Sequence, residues 1–121
     1  MSKILVTDDS DFLRKRTCSI LSPTEHDIIQ AKDGLECVDK LIKDNPDVLF
    51  LDLLMPNMNG FEVLEYMQEH ALNVPTVVLT ADIQEGVSER CMRLGAIAYL
   101  NKPPKPDEVL AALNVALVDA T

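Results

Sequence analysis

The sequence contains no tryptophan, only four glycines and only three cysteines among its 121 residues. The cysteines, Cys18, Cys37 and Cys91, lie far apart and form no CxxC pair. This spacing argues against a zinc site or a disulfide framework and favours a reducing compartment. The few glycines form neither a GxGxxG fingerprint nor a P-loop, which excludes the nucleotide-binding classes built on those loops.

Basic residues are also scarce, with 11 Lys and Arg against 20 Asp and Glu, a formal net charge of −9. Proteins that bind DNA or RNA directly usually carry the opposite sign, so we expect no direct nucleic-acid binding. No apolar run approaches the roughly 20 residues that a membrane helix needs. The first residues enter an apolar strand pattern at once and leave no room for a signal peptide, so we expect a cytoplasmic protein without membrane insertion.

Apolar runs alternate with helical patterns along the whole chain, and a hydrophobic content of 47% is enough for one core. Runs at 4–6, 28–29, 48–51, 76–79 and 97–100 predict strands. Helices are expected at about 13–21, 35–42, 61–69, 84–94 and 106–118, the second with Leu35, Val38, Leu41 and Ile42 as its apolar residues. Apolar strands separated by helices indicate a parallel sheet covered on both faces. The predicted fold class is therefore α/β, a (βα)5 doubly wound three-layer sandwich.

Polar residues follow the predicted strands at their carboxyl ends, where such sheets form their functional crevice. Asp8 and Asp9 follow the first strand, Asp52 the third, Thr80 ends the fourth, and Lys102 follows the fifth. Three clustered carboxylates repel one another, and a hard divalent cation such as Mg²⁺ or Mn²⁺ removes that repulsion. A lysine and a hydroxyl suit a phosphoryl group, and Asp52 at the strand tip suits a nucleophile.

Each of these residues alone also has an ordinary structural explanation. Asp8 and Asp9 can simply precede a helix cap at Ser10 or Asp11. Asp52 can be a loop acid, although an isolated charge is costly in so apolar a stretch. Thr80 and Lys102 alone are ordinary strand and surface residues. The joint placement of the set at strand ends is what favours a site.

Four motifs carry a family resemblance: VTDDS at 6–10, LDLLMPNMNG at 51–60, LTA at 79–81 and NKP at 101–103. In this order, the chain resembles the receiver domains of two-component response regulators and is similar to stand-alone CheY-like proteins. The resemblance covers essentially the whole chain and implies strand order 2-1-3-4-5. It leads us to expect a single receiver domain over 1–121 with no effector domain.

The resemblance implies a phosphorylation chemistry for the strand-end residues. Asp52 would be the phosphoacceptor, receiving a phosphoryl group from a sensor histidine kinase or a phosphotransfer domain. Asp8, Asp9 and Asp52, with the backbone carbonyl of Leu54, would hold Mg²⁺ or Mn²⁺. Lys102 would pair first with Asp52 and then with the phosphoryl group. Such a protein is not an enzyme for a separate substrate, but it catalyses its own phosphorylation and dephosphorylation.

The resemblance also implies a switch. Thr80 would move toward the phosphoryl group, Tyr99 would turn inward, and strand 4, helix 4, strand 5 and helix 5 would form a protein-binding surface. The family pattern predicts a cis Lys102–Pro103 bond. Stand-alone receivers of this size often serve chemotaxis, which makes chemotaxis one candidate process. The alternative is a phosphorelay intermediate or a phosphate sink without its own output, and no residue separates these readings.

Some features depart from the family pattern or extend it. Leu54 stands where an Asn is familiar and, with Asp82, flanks the route of the hydrolytic water, so we expect slow or moderate self-dephosphorylation. An aspartyl-phosphate hydrolase would instead need a second Asp at position 54.

The last helix is apolar almost all round from 109 to 118, which predicts a monomer or a weak dimer through that helix. The basic residues 14–16 lie where a kinase would dock and are expected to steer an acidic partner.

Overall fold

In the computed structural model, residues 2–81 and 84–120 are described, with residues 119 and 120 described through their backbone alone. Asp82 lies outside the described residues. The strands are β1 (Lys3–Thr7), β2 (Asp27–Ala31), β3 (Val48–Leu51), β4 (Thr76–Thr80) and β5 (Ala98–Asn101). The helices are α1 (Asp11–Leu21), α2 (Gly34–Asp44), α3 (Gly60–Glu69), α4 (Val87–Arg93) and α5 (Pro106–Ala120).

The five strands form one parallel sheet in the order β2-β1-β3-β4-β5, which confirms the predicted fold class and strand order. Side chains on a strand alternate between the two faces, so each face has its own core. Leu5, Leu49 and Val78 pack with α2, α3 and α4 on one face. Ile4 and Phe50 pack with α1 and α5 on the other. The two helical layers leave the carboxyl ends of the strands open at one edge.

The second helix does not bury all the apolar residues of its sequence pattern. Leu35 and Ile42 belong to that pattern, yet both are exposed. The buried stripe is Gly34, Cys37 and Leu41, which are spaced i, i+3 and i+7 on one helical face. Gly34 fixes the rotation of α2 about its own axis, because a Cβ there would lie only 2.0 Å from the Met58 carbonyl oxygen. The α2 face that touches this loop must therefore carry no side chain.

The fourth helix is shorter than the sequence pattern suggests. Residues 84–94 were expected to be helical, but α4 runs only from Val87 to Arg93. Gly86, in the left-handed region at φ 87°, precedes the helix and provides no side-chain cap. Gly95 has φ 103° and follows the last turn, in the left-handed conformation with which helices commonly end. The Arg90 guanidinium stacks 3.9 Å from the centre of the Phe61 ring and ties α4 to α3.

Candidate acidic phosphorylation site

The register of the sheet brings the predicted acidic residues together. Thr7 of β1 pairs with Leu51 of β3, so the residues that follow, Asp8 and Asp52, emerge side by side. The Asp52 amide donates to the Thr7 carbonyl at 3.0 Å. One carboxylate oxygen from each of Asp8, Asp9 and Asp52 lies within 4.8 Å of the others. The clustering expected from the strand-end rule is therefore present in the fold.

Lys102 reaches this cluster from the end of β5. Its Nζ lies 2.7 Å from Oδ2 of Asp8 and 3.3 Å from Oδ1 of Asp52, and its side chain is only 8% exposed. Asp8 and Asp52 are both buried, whereas Asp9 is exposed. The Lys102 amide donates to the Thr80 carbonyl at 2.9 Å, which anchors the lysine to the neighbouring strand. The Lys102 ammonium thus pairs with two of the three carboxylates, and the cluster keeps an excess of negative charge.

The environment of the Asp52 carboxyl group shifts its pKa upward. Its pKa is raised to about 6, chiefly by burial and to a smaller extent by the charges of Asp8 and Asp9, while Lys102 acts in the opposite direction. Keeping Asp52 ionised in the folded protein therefore costs free energy. A second positive group near its oxygens would offset that free energy.

The donor set fits a hard divalent cation. It consists of carboxylate oxygens, the ligands that Mg²⁺ and Mn²⁺ prefer. Asp9 opens the cluster to solvent, and Mg²⁺ normally keeps several of its waters. The residues present thus match the chemistry of such an ion, in charge as well as in ligand type.

The loop behind Asp52 is held in a narrow space. The Gly60 amide donates to the Leu53 carbonyl at 2.9 Å, and a Cβ at Gly60 would lie 2.4 Å from the Asp52 carbonyl oxygen. Leu54, in this loop, exposes its side chain. The glycine at the start of α3 therefore lets the chain return directly beneath the acidic residue.

The two expected switch residues lie on neighbouring strands. Thr80 is fully buried at the end of β4, and Tyr99 is half-buried on β5, opposite Val78 in the register. Tyr99 packs against the core on the α2–α4 face. The Lys102–Pro103 peptide bond is cis. Thr80 and Tyr99 therefore lie on the adjacent strands β4 and β5, and Lys102 follows the end of β5.

Sequence reasoning missed the particular position of Arg14, which it grouped with Lys15 and Arg16 as one basic cluster. Arg14 turns back, with a side chain only 12% exposed, and donates to the Asp8 carbonyl. Lys15 and Arg16 remain exposed. The available signal was weak: an acid three residues before Arg14, at Asp11, permits a helical i,i+3 pair.

Three comparisons with known proteins agree with this geometry. A family model described as "Response regulator receiver domain" matches residues 4–114. The response regulator MprA of Mycobacterium avium is 38% identical over 117 residues, 95% of this chain and 50% of that protein. The Bacillus subtilis alkaline phosphatase synthesis transcriptional regulatory protein PhoP is 34% identical over 115 residues, 95% of this chain and 48% of that protein. The chain thus spans about half the length of these curated relatives.

Among solved structures, the receiver domain of the Francisella response regulator 1452 superimposes with a TM-score of 0.93. It is 25% identical in sequence, and the match covers 100% of both chains. The fold, the edge at which the acids meet and the sequence similarity therefore converge on one family.

Proposed function

The chain belongs to the response regulator receiver domain family, and we propose on that premise that it is a phosphorylation switch whose phosphoacceptor is Asp52. The observation that carries the proposal is the buried Asp52 carboxylate, paired with Lys102 and grouped with Asp8 and Asp9. Receiver domains are phosphorylated by histidine kinases. The phosphodonor of this chain is therefore a sensor histidine kinase or a phosphotransfer domain.

In the proposed transfer, an Asp52 carboxylate oxygen bonds to phosphorus while the P–N bond of the donor phosphohistidine breaks. The electron pair stays with the imidazole nitrogen, which takes up a proton. Lys102 offers a compact positive charge beside the attacking carboxylate and can follow the negative charge onto the phosphoryl oxygens. Mg²⁺ or Mn²⁺, held by Asp8, Asp9, Asp52 and the Leu54 carbonyl, would supply further charge neutralisation when bound.

Phosphorylation adds a charge of roughly −1.5 to −2 and new acceptor oxygens at a buried position. The Thr80 hydroxyl stands at the end of the adjacent strand and is the proposed group that moves toward these oxygens. Tyr99 then follows inward, and the surface formed by β4, α4, β5 and α5 changes with it. A few kcal/mol of differential stabilisation is enough, because about 5.5 kcal/mol moves a two-state equilibrium from 1:99 to 99:1.

The proposed output of this receiver domain is binding to a protein partner in the cytoplasm, without nucleic-acid binding by the domain itself. Chemotaxis is one process that such an output would serve. The second candidate is a phosphorelay intermediate or phosphate sink. A phosphorylation-dependent partner of the β4–α4–β5–α5 surface would favour the switch, and rapid return of the phosphoryl group to a phosphotransfer domain would favour the relay.

Two further surfaces suit partners. Lys15 and Arg16 border an apolar groove of about 660 Å³ between α1 and the start of α5, lined also by Phe12 and Leu110. This groove and its basic rim would receive the phosphodonor. On α5, Val115 is 58% exposed, which supports a monomer or a weak dimer through that helix.

The test of the phosphoacceptor is the intact mass of the protein after incubation with MgCl₂ and acetyl phosphate, for wild type and Asp52→Asn. We expect a gain of one phosphoryl group in wild type, none in Asp52→Asn and none in wild type with EDTA. An unchanged gain in Asp52→Asn would overturn the assignment of Asp52. No gain in wild type, from acetyl phosphate or from a phosphorylated histidine kinase, would contradict the switch itself.

A further inference from the structure

The Arg14 side chain joins three parts of the molecule behind the acidic cluster. Its Nη1 donates to the Asp8 carbonyl at 2.8 Å, its Nε donates to Oε1 of Gln30 on β2 at 2.9 Å, and its Nη2 contacts Oδ1 of Asp11 at 2.6 Å. All three guanidinium nitrogens therefore have partners. A charged side chain that is only 12% exposed is costly to hold unless its guanidinium is paired in this way.

These contacts complete the restraint of Asp8. The Asp8 amide donates to the Ala31 carbonyl at 3.1 Å, and Oδ1 accepts from the Ser10 amide at 2.9 Å. Oδ2 faces Lys102 at 2.7 Å, and the carbonyl is held by Arg14. Each polar atom of Asp8 thus has a defined partner. Arg14, which holds the Asp8 carbonyl, is a side chain of α1.

We propose that Arg14 is a positioning residue for the acidic site. It fixes the turn from Asp8 to Asp11, and so presents the Asp8 and Asp9 carboxylates in the arrangement that binds Mg²⁺. This inference rests on the proposed function, because it assumes that the cluster works with a divalent cation. Outer-shell groups of this kind commonly change metal affinity by about 10-fold to 100-fold.

The positive charge of Arg14 by itself would oppose a nearby cation, but Asp11 offsets it. The two side chains meet at 2.6 Å, and the Arg14 hydrogen bond and charge hold the pKa of Asp11 below its usual value. Arg14 therefore acts on the site mainly by fixing the position of the turn from Asp8 to Asp11, and adds little net charge. A lysine at position 14 would keep the charge but lose the planar fork that reaches three acceptors at once.

The test measures Mg²⁺ binding to the unphosphorylated protein by titration calorimetry, without a phosphodonor, for Arg14→Lys and Arg14→Ala. We expect both variants to bind about 10-fold more weakly. The control Lys43→Ala also removes a cation paired with an aspartate, Asp39 at 3.2 Å, but at an exposed position on α2, and should keep the metal affinity within twofold. With acetyl phosphate, the Mg²⁺ concentration for half-maximal phosphorylation should rise by the same factor in the Arg14 variants, while the rate at saturating Mg²⁺ approaches that of wild type.

Unchanged or tighter Mg²⁺ binding in folded Arg14→Lys would overturn the proposal, as would a loss in Lys43→Ala equal to that in Arg14→Ala. If the Arg14 variants do not fold, Gln30→Ala decides, because it removes only the contact to Nε. Weaker Mg²⁺ binding by more than twofold would then support the proposal, and unchanged binding would contradict it. The calorimetric comparison needs no phosphoryl transfer, so its result is independent of whether Asp52 is the phosphoacceptor.

Discussion

At the scale of single residues, Asp52 combines two properties that oppose each other in the unmodified protein. It must be ionised to act as a nucleophile, yet burial and the neighbouring acids raise its pKa to about 6 from an ordinary value of 3.8. Between these two pH values, the Asp52 carboxyl binds more protons in the folded protein than in the unfolded chain. The contribution of Asp52 to stability therefore falls as the pH rises from about 4 to about 6, and the loss persists above that range.

We predict that Asp52→Asn stabilises the protein at pH 7.5 in EDTA by about 1–3 kcal/mol, because the amide removes the buried charge. At pH 4 the difference should nearly vanish, since the Asp52 carboxyl is then largely neutral in the folded state. Urea denaturation at both pH values measures it. Asp27→Asn, at an exposed aspartate on β2, is the matched control and should change stability by less than about 0.5 kcal/mol at either pH. A destabilised Asp52→Asn at pH 7.5 would show that the Lys102 pair outweighs burial.

The residue scale also shows where sequence reasoning succeeds and where it stops. The meeting of Asp8 and Asp52 follows from the rule that parallel strands end at one edge. The turn of Arg14 into the site could not be read in the same way, because three consecutive basic residues on a helix point in three directions. Which of them faces β2 depends on how α1 is rotated on the sheet. That rotation is set by the burial of Thr17 and Leu21.

At the scale of elements, the packing of α2 depends on a missing side chain. Helical positions normally favour alanine over glycine by about 1 kcal/mol. At Gly34 we predict the opposite sign, because a Cβ would lie 2.0 Å from the Met58 carbonyl oxygen, which is backbone and cannot simply rotate away. Gly34→Ala should lower the free energy of unfolding by about 1–3 kcal/mol.

Denaturant unfolding measures this effect. Leu35→Ala, at the next residue and on the exposed face, is the control and should change stability by less than about 0.5 kcal/mol. A stabilised Gly34→Ala would mean that the loop from β3 to α3 can move aside. The apolar pattern of α2 alone could not reveal this requirement, since Leu35, Val38 and Ile42 make an equally regular stripe.

At the scale of the whole molecule, the net charge of −9 and the acidic edge act on stability together. Salt of any kind screens the general repulsion. A cation that binds the folded acidic cluster adds a specific term, about 2.7 kcal/mol at 100 times its dissociation constant. We predict that MgCl₂ stabilises the protein more than NaCl at the same ionic strength, as measured by thermal or urea unfolding.

Asp9→Asn removes one exposed carboxylate of the cluster and should abolish most of the excess effect of MgCl₂ while leaving the effect of NaCl. Equal stabilisation by both salts in wild type would argue against a specific site.

The fold that creates the site could be predicted at this scale from the alternation of strands and helices. The strand order came from the family resemblance, because alternation alone does not determine which strands are neighbours.

The residues of the acidic site lie far apart along the chain, so they are synthesised at different times. The three carboxylates belong to the first 52 residues, and β1, β2 and β3 alone make one side of the sheet. Lys102, which pairs with Asp8 and Asp52, follows the last strand. During synthesis, the ribosome therefore completes the acidic half well before it makes the lysine that pairs with it. Before β5 is made, the three acids lack this partner, and the arrival of that strand supplies them with one covalently attached countercharge.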